Sequence, residues 1–112
     1  ELRCPDPSCN PYLALAVCLA AGLDGIEKDM TPPAEINDNI FAMDAATRAA
    51  RGIDSLPGSL SDAVDALEAD ELIAGTLGDH VLKNYVAGKR KEWDAFRTAV
   101  TDWEIGKYVI LY

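Results

Sequence analysis

Residues 1–26 read ELRCPDPSCNPYLALAVCLAAGLDGI, and the fold class turns on this stretch. Asn10-Pro11 is a strong helix start. An Asn side chain accepts from otherwise unpaired backbone N–H groups, and proline at the first helical position has no N–H to leave unpaired. Tyr12 to Leu23 follows as the longest unbroken apolar run, twelve residues counting Gly22. A membrane span needs about 20. The residues before the run hold Glu1, Arg3, Asp6 and three prolines, not the basic leader of a secretory signal. The run therefore predicts a core helix, continuing toward Asp29 and ended by Thr31-Pro32-Pro33. Being apolar nearly all round, it is expected to be buried on most sides.

Upstream of the helix, Glu1-Leu2-Arg3-Cys4 reads as the end of a strand. Alternation puts Glu1 and Arg3 on one face and Leu2 and Cys4 on the other. So short a strand, with nothing in the chain to pair against, is not independently stable, and the sequence looks cut out of something longer. Downstream, residues 31–43 predict an extended, loop-rich crossing. Asp44 opens a short helix that stops at Gly52. Leu56-Pro57-Gly58-Ser59 is a turn, and Ser59 with Asp62 is a weakened capping box. Leu60, Val64 and Leu67 form one apolar stripe. Asp70 restarts a brief helix to Gly78, and Asp79 opens the longest amphipathic segment. There Leu82, Tyr85, Val86, Trp93, Phe96 and Val100 share a face, with Arg90 placed to meet Asp94 at i,i+4. Thr101 and Glu104 make a capping box for a last short helix. Tyr108 to Tyr112 leave an apolar end suited to docking. The chain reads as mainly α, with residues 1–4 a strand end and 10–112 mostly helical.

Composition narrows the work such a chain can do. Of 112 residues, 49% are apolar and 26% charged, enough apolar surface to exclude disorder as the main state. Ten Lys and Arg oppose 19 Asp and Glu, giving a net charge of −9. Such a surface repels phosphate backbones, so nucleic acid is not an expected partner, and neither is a membrane. Cys4, Cys9 and Cys18 cannot all pair within the chain and match no C-x-x-C zinc spacing. They read as reduced cytosolic thiols near a core. Asp6, between two prolines, is a turn residue. His80 lacks a second histidine with which to share a metal, the aromatic residues read as core, and Lys89-Arg90-Lys91 reads as a solvated helix face. Glu1 and Arg3 projecting from one side of a strand end are a plausible site, and equally a surface ion pair.

Residues 1–26 closely resemble the active-site strand and following helix of type I glutamine synthetases. The resemblance continues through Asp38-Asn39-Ile40, the Leu56-Pro57-Gly58-Ser59-Leu60 turn and Ala63 to Leu67. Further on it takes in Leu77-Gly78-Asp79-His80, Lys89 to Trp93 and Thr101 to Glu104, so that it spans essentially the whole chain. It implies that residues 1–112 are the helical C-terminal segment of an α+β catalytic domain. The implied activity is ATP-dependent joining of ammonia to glutamate through a γ-glutamyl phosphate, with Mg²⁺ or Mn²⁺ as cofactor. By the same resemblance Glu1 falls on a metal ligand. Arg3 falls on the catalytic arginine that contacts the glutamate carboxylate and the transferred phosphate. The remaining site residues would lie upstream, so the segment alone is expected to be inactive. Glutamate, ammonia and ATP are the implied small-molecule partners. The implied setting is a cytoplasmic dodecamer of two stacked rings, with the C-terminal residues at ring contacts. Some relatives are switched off by attaching AMP to a loop tyrosine. Phe41 stands at that position here and offers no hydroxyl, so no modification is expected there. The competing reading is a non-catalytic acidic helical interaction module.

Overall fold

The computed structural model describes residues 2–109. Among them the chain forms helices α1 (Pro11–Glu27), α2 (Ala45–Ala50), α3 (Leu60–Ala69), α4 (Glu71–Thr98) and α5 (Asp102–Tyr108), with a 3-10 turn at Ile40–Ala42. The described residues contain no strand. The expected caps are in place. Asn10 Oδ1 accepts from the Tyr12 and Leu13 amides at 3.0 and 3.4 Å, and Asp44 Oδ1 accepts from Thr47 at 2.7 Å. Ser59 Oγ accepts from Asp62 at 3.1 Å, and Asp70 Oδ1 from Ile73 at 3.0 Å. Thr101 and Glu104 form the full reciprocal box. Each satisfies an amide that the first turn leaves without an intrahelical partner.

α1 stops at Glu27, two residues short of the expected Asp29 and ahead of the prolines. The stop is a Schellman motif: the Met30 amide donates to the Gly25 carbonyl at 2.9 Å and the Asp29 amide to Ile26 at 3.2 Å. Asp29 takes the left-handed position at φ 50°, a conformation Asp tolerates better than most residues. α2 ends in the same way on Gly52, φ 66°.

The two helices expected to meet at Gly78 do meet there: the residue breaks α4 with the non-helical dihedrals φ 70° and ψ 157°. The break matters because α1 and α3 both pack against α4. Val64 on α3, 3% exposed, is the buried apolar side chain of the described residues. Arg90 of α4 bridges back to α3. It donates to Asp65 and to Glu68 Oε2 (2.7 Å), and to the Ser61 carbonyl and hydroxyl at 3.4 and 3.3 Å. That corrects the expected pairing of Arg90 with Asp94, because α3 presents two carboxylates to the guanidinium while Arg97 takes Asp94 at 2.7 Å. It also removes Arg90 from the solvated face assigned to Lys89-Arg90-Lys91.

α1 is not buried on most sides. Leu13, Ala14, Val17 and Ala20 are half-buried, while Tyr12 (83% exposed), Leu15, Leu19, Leu23 and Ile26 (77%) lie open. At 100° per residue these two sets occupy opposite sides of the helix, and one helix can cover only one side. Tyr12, Phe96, Trp103 and Tyr108 are likewise exposed rather than core. The surface shows the same openness. The chain exposes 9507 Å², against roughly 6,000 Å² for a folded monomer of this mass. Its radius of gyration is 18.3 Å, against about 13 Å for a close-packed domain of this length. Helices with apolar stripes on two sides have here found a partner for only one.

Candidate functional site

Leu2 to Asn10 lead into α1 as an exposed segment without helix or strand pairing. A strand needs a neighbour for its ladder hydrogen bonds, and the described residues supply none. Arg3 lies on this segment and is exposed. Glu1 falls outside the described residues. Asp6 organises the segment: its Oδ1 accepts from the Ser8 hydroxyl at 2.6 Å and the Ser8 amide at 2.7 Å. The Cys9 amide closes the turn on the Asp6 carbonyl at 2.9 Å. Asp6 is thus a turn residue, as read from the sequence. Ser8's hydroxyl, then its amide, hold the Asp6 carboxyl below its ordinary 3.8, and the charge of Lys89 contributes in the same direction. Lys89 sits on α4, with its Nζ 2.7 Å from Glu92 Oε2 and 5.8 Å from the centre of the Tyr85 ring.

Beneath the turn is a cavity of about 340 Å³ between α1 and α4. Leu13, Val17 and Cys18 wall one side, Ile73, Leu77 and Tyr85 another, and Cys4, Pro5 and Cys9 close the end. All three cysteines are free and exposed. Their convergence on one cavity depends on the packing of α1 against α4, which sequence spacing does not reveal. His80 contributes its carbonyl, which accepts from Asn84 Nδ2 at 2.7 Å. Phe41 projects into solvent, 97% exposed, on a loop held by its own amide donating to Asn39 Oδ1 at 3.1 Å.

Magnesium binds through several oxygen ligands in near-octahedral geometry. Among the described residues no group of three or more His, Cys, Asp or Glu could hold a metal ion. The described segment does not by itself build a metal centre. Nor, among these residues, is any helix long and apolar enough to cross a membrane.

The sequence profile of the glutamine synthetase catalytic domain matches residues 1–108. The chain belongs to this family. It is 56% identical over 110 residues to the glutamine synthetase of Methanocaldococcus jannaschii, covering 98% of this chain and 24% of that protein. It is 56% identical over 112 residues to that of Clostridium saccharobutylicum, covering all of this chain and 25% of the relative. The enzyme of Thermus thermophilus is 48% identical over 112 residues, at the same two coverages. Among solved structures, apo GmaS without ligand superposes with a TM-score of 0.79 at 39% identity, over 96% of this chain and 24% of that one. The chain spans about a quarter of the length of these relatives. The glutamine synthetase match favours the ligase reading over the acidic interaction module. It also bears out the expected fold, a helical portion of a glutamine synthetase catalytic domain.

Proposed function

We propose that this chain is the C-terminal segment of the catalytic domain of a glutamate–ammonia ligase, and that Arg3 is its principal contribution to the chemistry. The observation that carries the reading is the family match over residues 1–108 at up to 56% identity. In the proposed reaction a side-chain carboxylate oxygen of glutamate attacks the γ-phosphorus of ATP and ADP departs. Ammonia then attacks the acyl carbon, and phosphate leaves with the carboxylate oxygen. Negative charge grows on the phosphoryl oxygens and then on the acyl oxygen. A guanidinium, planar and permanently charged, can hold two such oxygens at once. The Asp6 turn and the Asn10-capped start of α1 fix the backbone that follows Arg3, so the guanidinium is carried on a defined support.

Glu1 would supply one carboxylate toward Mg²⁺ or Mn²⁺, the rest of that ligand set and most contacts to ATP coming from the larger domain. The segment alone is accordingly expected to be inactive, since groups that act as a unit do not work singly. The same larger domain would cover the open side of α1. Burial of each large side chain there is worth about 1.5–3 kcal/mol, a strong incentive to associate. Tyr108 and Val109, both exposed, fit the proposed contacts between the stacked rings of a cytoplasmic dodecamer, while Ile110, Leu111 and Tyr112 fall outside the described residues. Phe41, without a hydroxyl, would exempt the enzyme from adenylylation at its loop.

The test is the steady-state rate of glutamine formation by the full-length protein and its Arg3→Lys variant. Lysine keeps the charge and loses the fork, so kcat should fall about 10²–10³-fold. A variant with near-normal kcat would reduce Arg3 to a surface ion-pairing residue.

A further inference from the structure

We infer that Asp6 is a positioning residue for the proposed ligation, its side chain holding the corner before α1 at the angle that sets Arg3 against the reacting oxygens. The inference rests on the role proposed for Arg3 and deepens it. It draws on residues 5–13, whose arrangement is set by short-range chemistry and needs no neighbouring strand. Proline at positions 5, 7 and 11 fixes its own φ at about −65°. Each proline also biases the residue before it, Cys4, Asp6 or Asn10, toward extended backbone. Asn10 is extended accordingly, at φ −68° and ψ 114°. Asp6-Pro7-Ser8-Cys9 is a β-turn whose first two positions carry residues those positions favour. The Cys9 amide closes it on the Asp6 carbonyl at 2.9 Å. Asp6 Oδ1 then adds two bonds, from the Ser8 amide and the Ser8 hydroxyl, so main chain and side chain of Asp6 close the same turn. Asn10 caps α1 directly afterwards, and α1 packs against α4. From Asp6 onward the chain is tied to the helical body.

The corner acts by leverage. Arg3 precedes Asp6 by three residues, at most roughly 10 Å of extended chain. Over such an arm a swing of about 6° at the corner carries the Arg3 backbone about 1 Å. A displacement of that size at a catalytic group can cost on the order of 10²-fold in rate. Ladder bonds to a strand of the larger domain would set the register of residues 1–4; the corner sets how their end meets α1. An ionised carboxylate accepts from an amide and a hydroxyl more strongly than a neutral group does. Asparagine offers an oxygen in the same place without the charge, and alanine offers none. Removing the Ser8 hydroxyl deletes one of the two side-chain bonds and leaves the other. Asp6 contacts no reacting atom in this scheme and works only through Arg3, so its effect should vanish once the guanidinium is gone.

The experiment measures kcat and KM for glutamine formation by the full-length protein in a double-mutant cycle. Its members are the unaltered protein, Asp6→Ala, Arg3→Lys and the double variant, with Asp6→Asn and Ser8→Ala beside them. Asp6→Ala should lower kcat on the order of 10²-fold and leave the KM for ATP in place. Asp6→Asn should recover most of that loss, and Ser8→Ala should fall between the two. The double variant should be little slower than Arg3→Lys alone, because residues that act through one another are not additive. Circular dichroism of Asp6→Ala should show the helices intact. A near-normal kcat in Asp6→Ala, or Asp6→Asn as slow as Asp6→Ala, would overturn the inference. So would losses that multiply in the double variant, or a loss of helix in Asp6→Ala, either of which would make the turn a folding element only. In each of those cases Arg3→Lys remains slow and the role of Arg3 stands. A near-normal kcat in Arg3→Lys would instead remove that role, and the positioning of Arg3 by Asp6 with it.

Discussion

Replacing Gly78 by alanine should destabilise the protein, although the added methyl group has room. An ideal Cβ at Gly78 meets nothing within 4 Å, so packing sets no penalty. The penalty is in the backbone. At φ 70° and ψ 157° the residue occupies a region used almost only by glycine, and holding a side chain there costs about 1–3 kcal/mol. Gly88 in the same helix supplies the control. It has ordinary helical dihedrals and equally open surroundings, and alanine there should gain about 0.5–1 kcal/mol by reducing unfolded-state freedom. The two substitutions are chemically identical and of opposite sign. Gly78→Ala should lower the urea unfolding midpoint and Gly88→Ala should raise it slightly. Matched urea titrations of the purified full-length variants, read by circular dichroism, make the comparison. If Gly78→Ala were as stable as Gly88→Ala, α4 would run straight through residue 78. The break would then not be needed for α1 and α3 to share one helix.

Two further outcomes are expected. Thr47 holds the Asp44 carboxyl below its ordinary 3.8, chiefly through its amide, and Thr101 likewise holds Glu104 below 4.5. A depressed carboxyl stabilises above its unfolded pKa and loses that contribution as pH falls through its folded value. Helical ellipticity should therefore decline as pH drops below about 4, and less steeply in Asp44→Asn and Glu104→Gln; parallel curves would remove the caps from the account. Deleting residues 108–112 should weaken ring assembly while each subunit stays folded, and an unchanged mass by light scattering would contradict it.

The local grammar of this fold was legible because it is written in short-range chemistry. Asn10, Asp44, Ser59, Asp70 and Thr101 each sit one residue before the helix they cap, and Gly52 and Gly78 mark the backbone turns that favour glycine. What failed was inference about neighbours. The pattern of α1 shows that both of its sides want cover, but not whether the cover lies within these 112 residues. Arg90 found carboxylates 22 and 25 residues away, a tertiary choice that i,i+4 spacing cannot reveal. The candidate site divides in the same way. Asp6 as a turn residue could be read from its flanking prolines. The convergence of Cys4, Cys9 and Cys18 on one cavity depends on tertiary packing. The assignments of Glu1 and Arg3 come from family resemblance, beside an alternation argument that left a surface ion pair equally open.

The most direct test of the central claim follows an oxygen atom. Glutamate labelled with ¹⁸O in its side-chain carboxylate is supplied with ammonia, ATP and Mg²⁺ to the full-length protein, and product phosphate is analysed by mass spectrometry. The proposed ligase transfers one labelled oxygen to each phosphate released, with one glutamine formed per phosphate. Unlabelled phosphate, or phosphate released without glutamine, would contradict it.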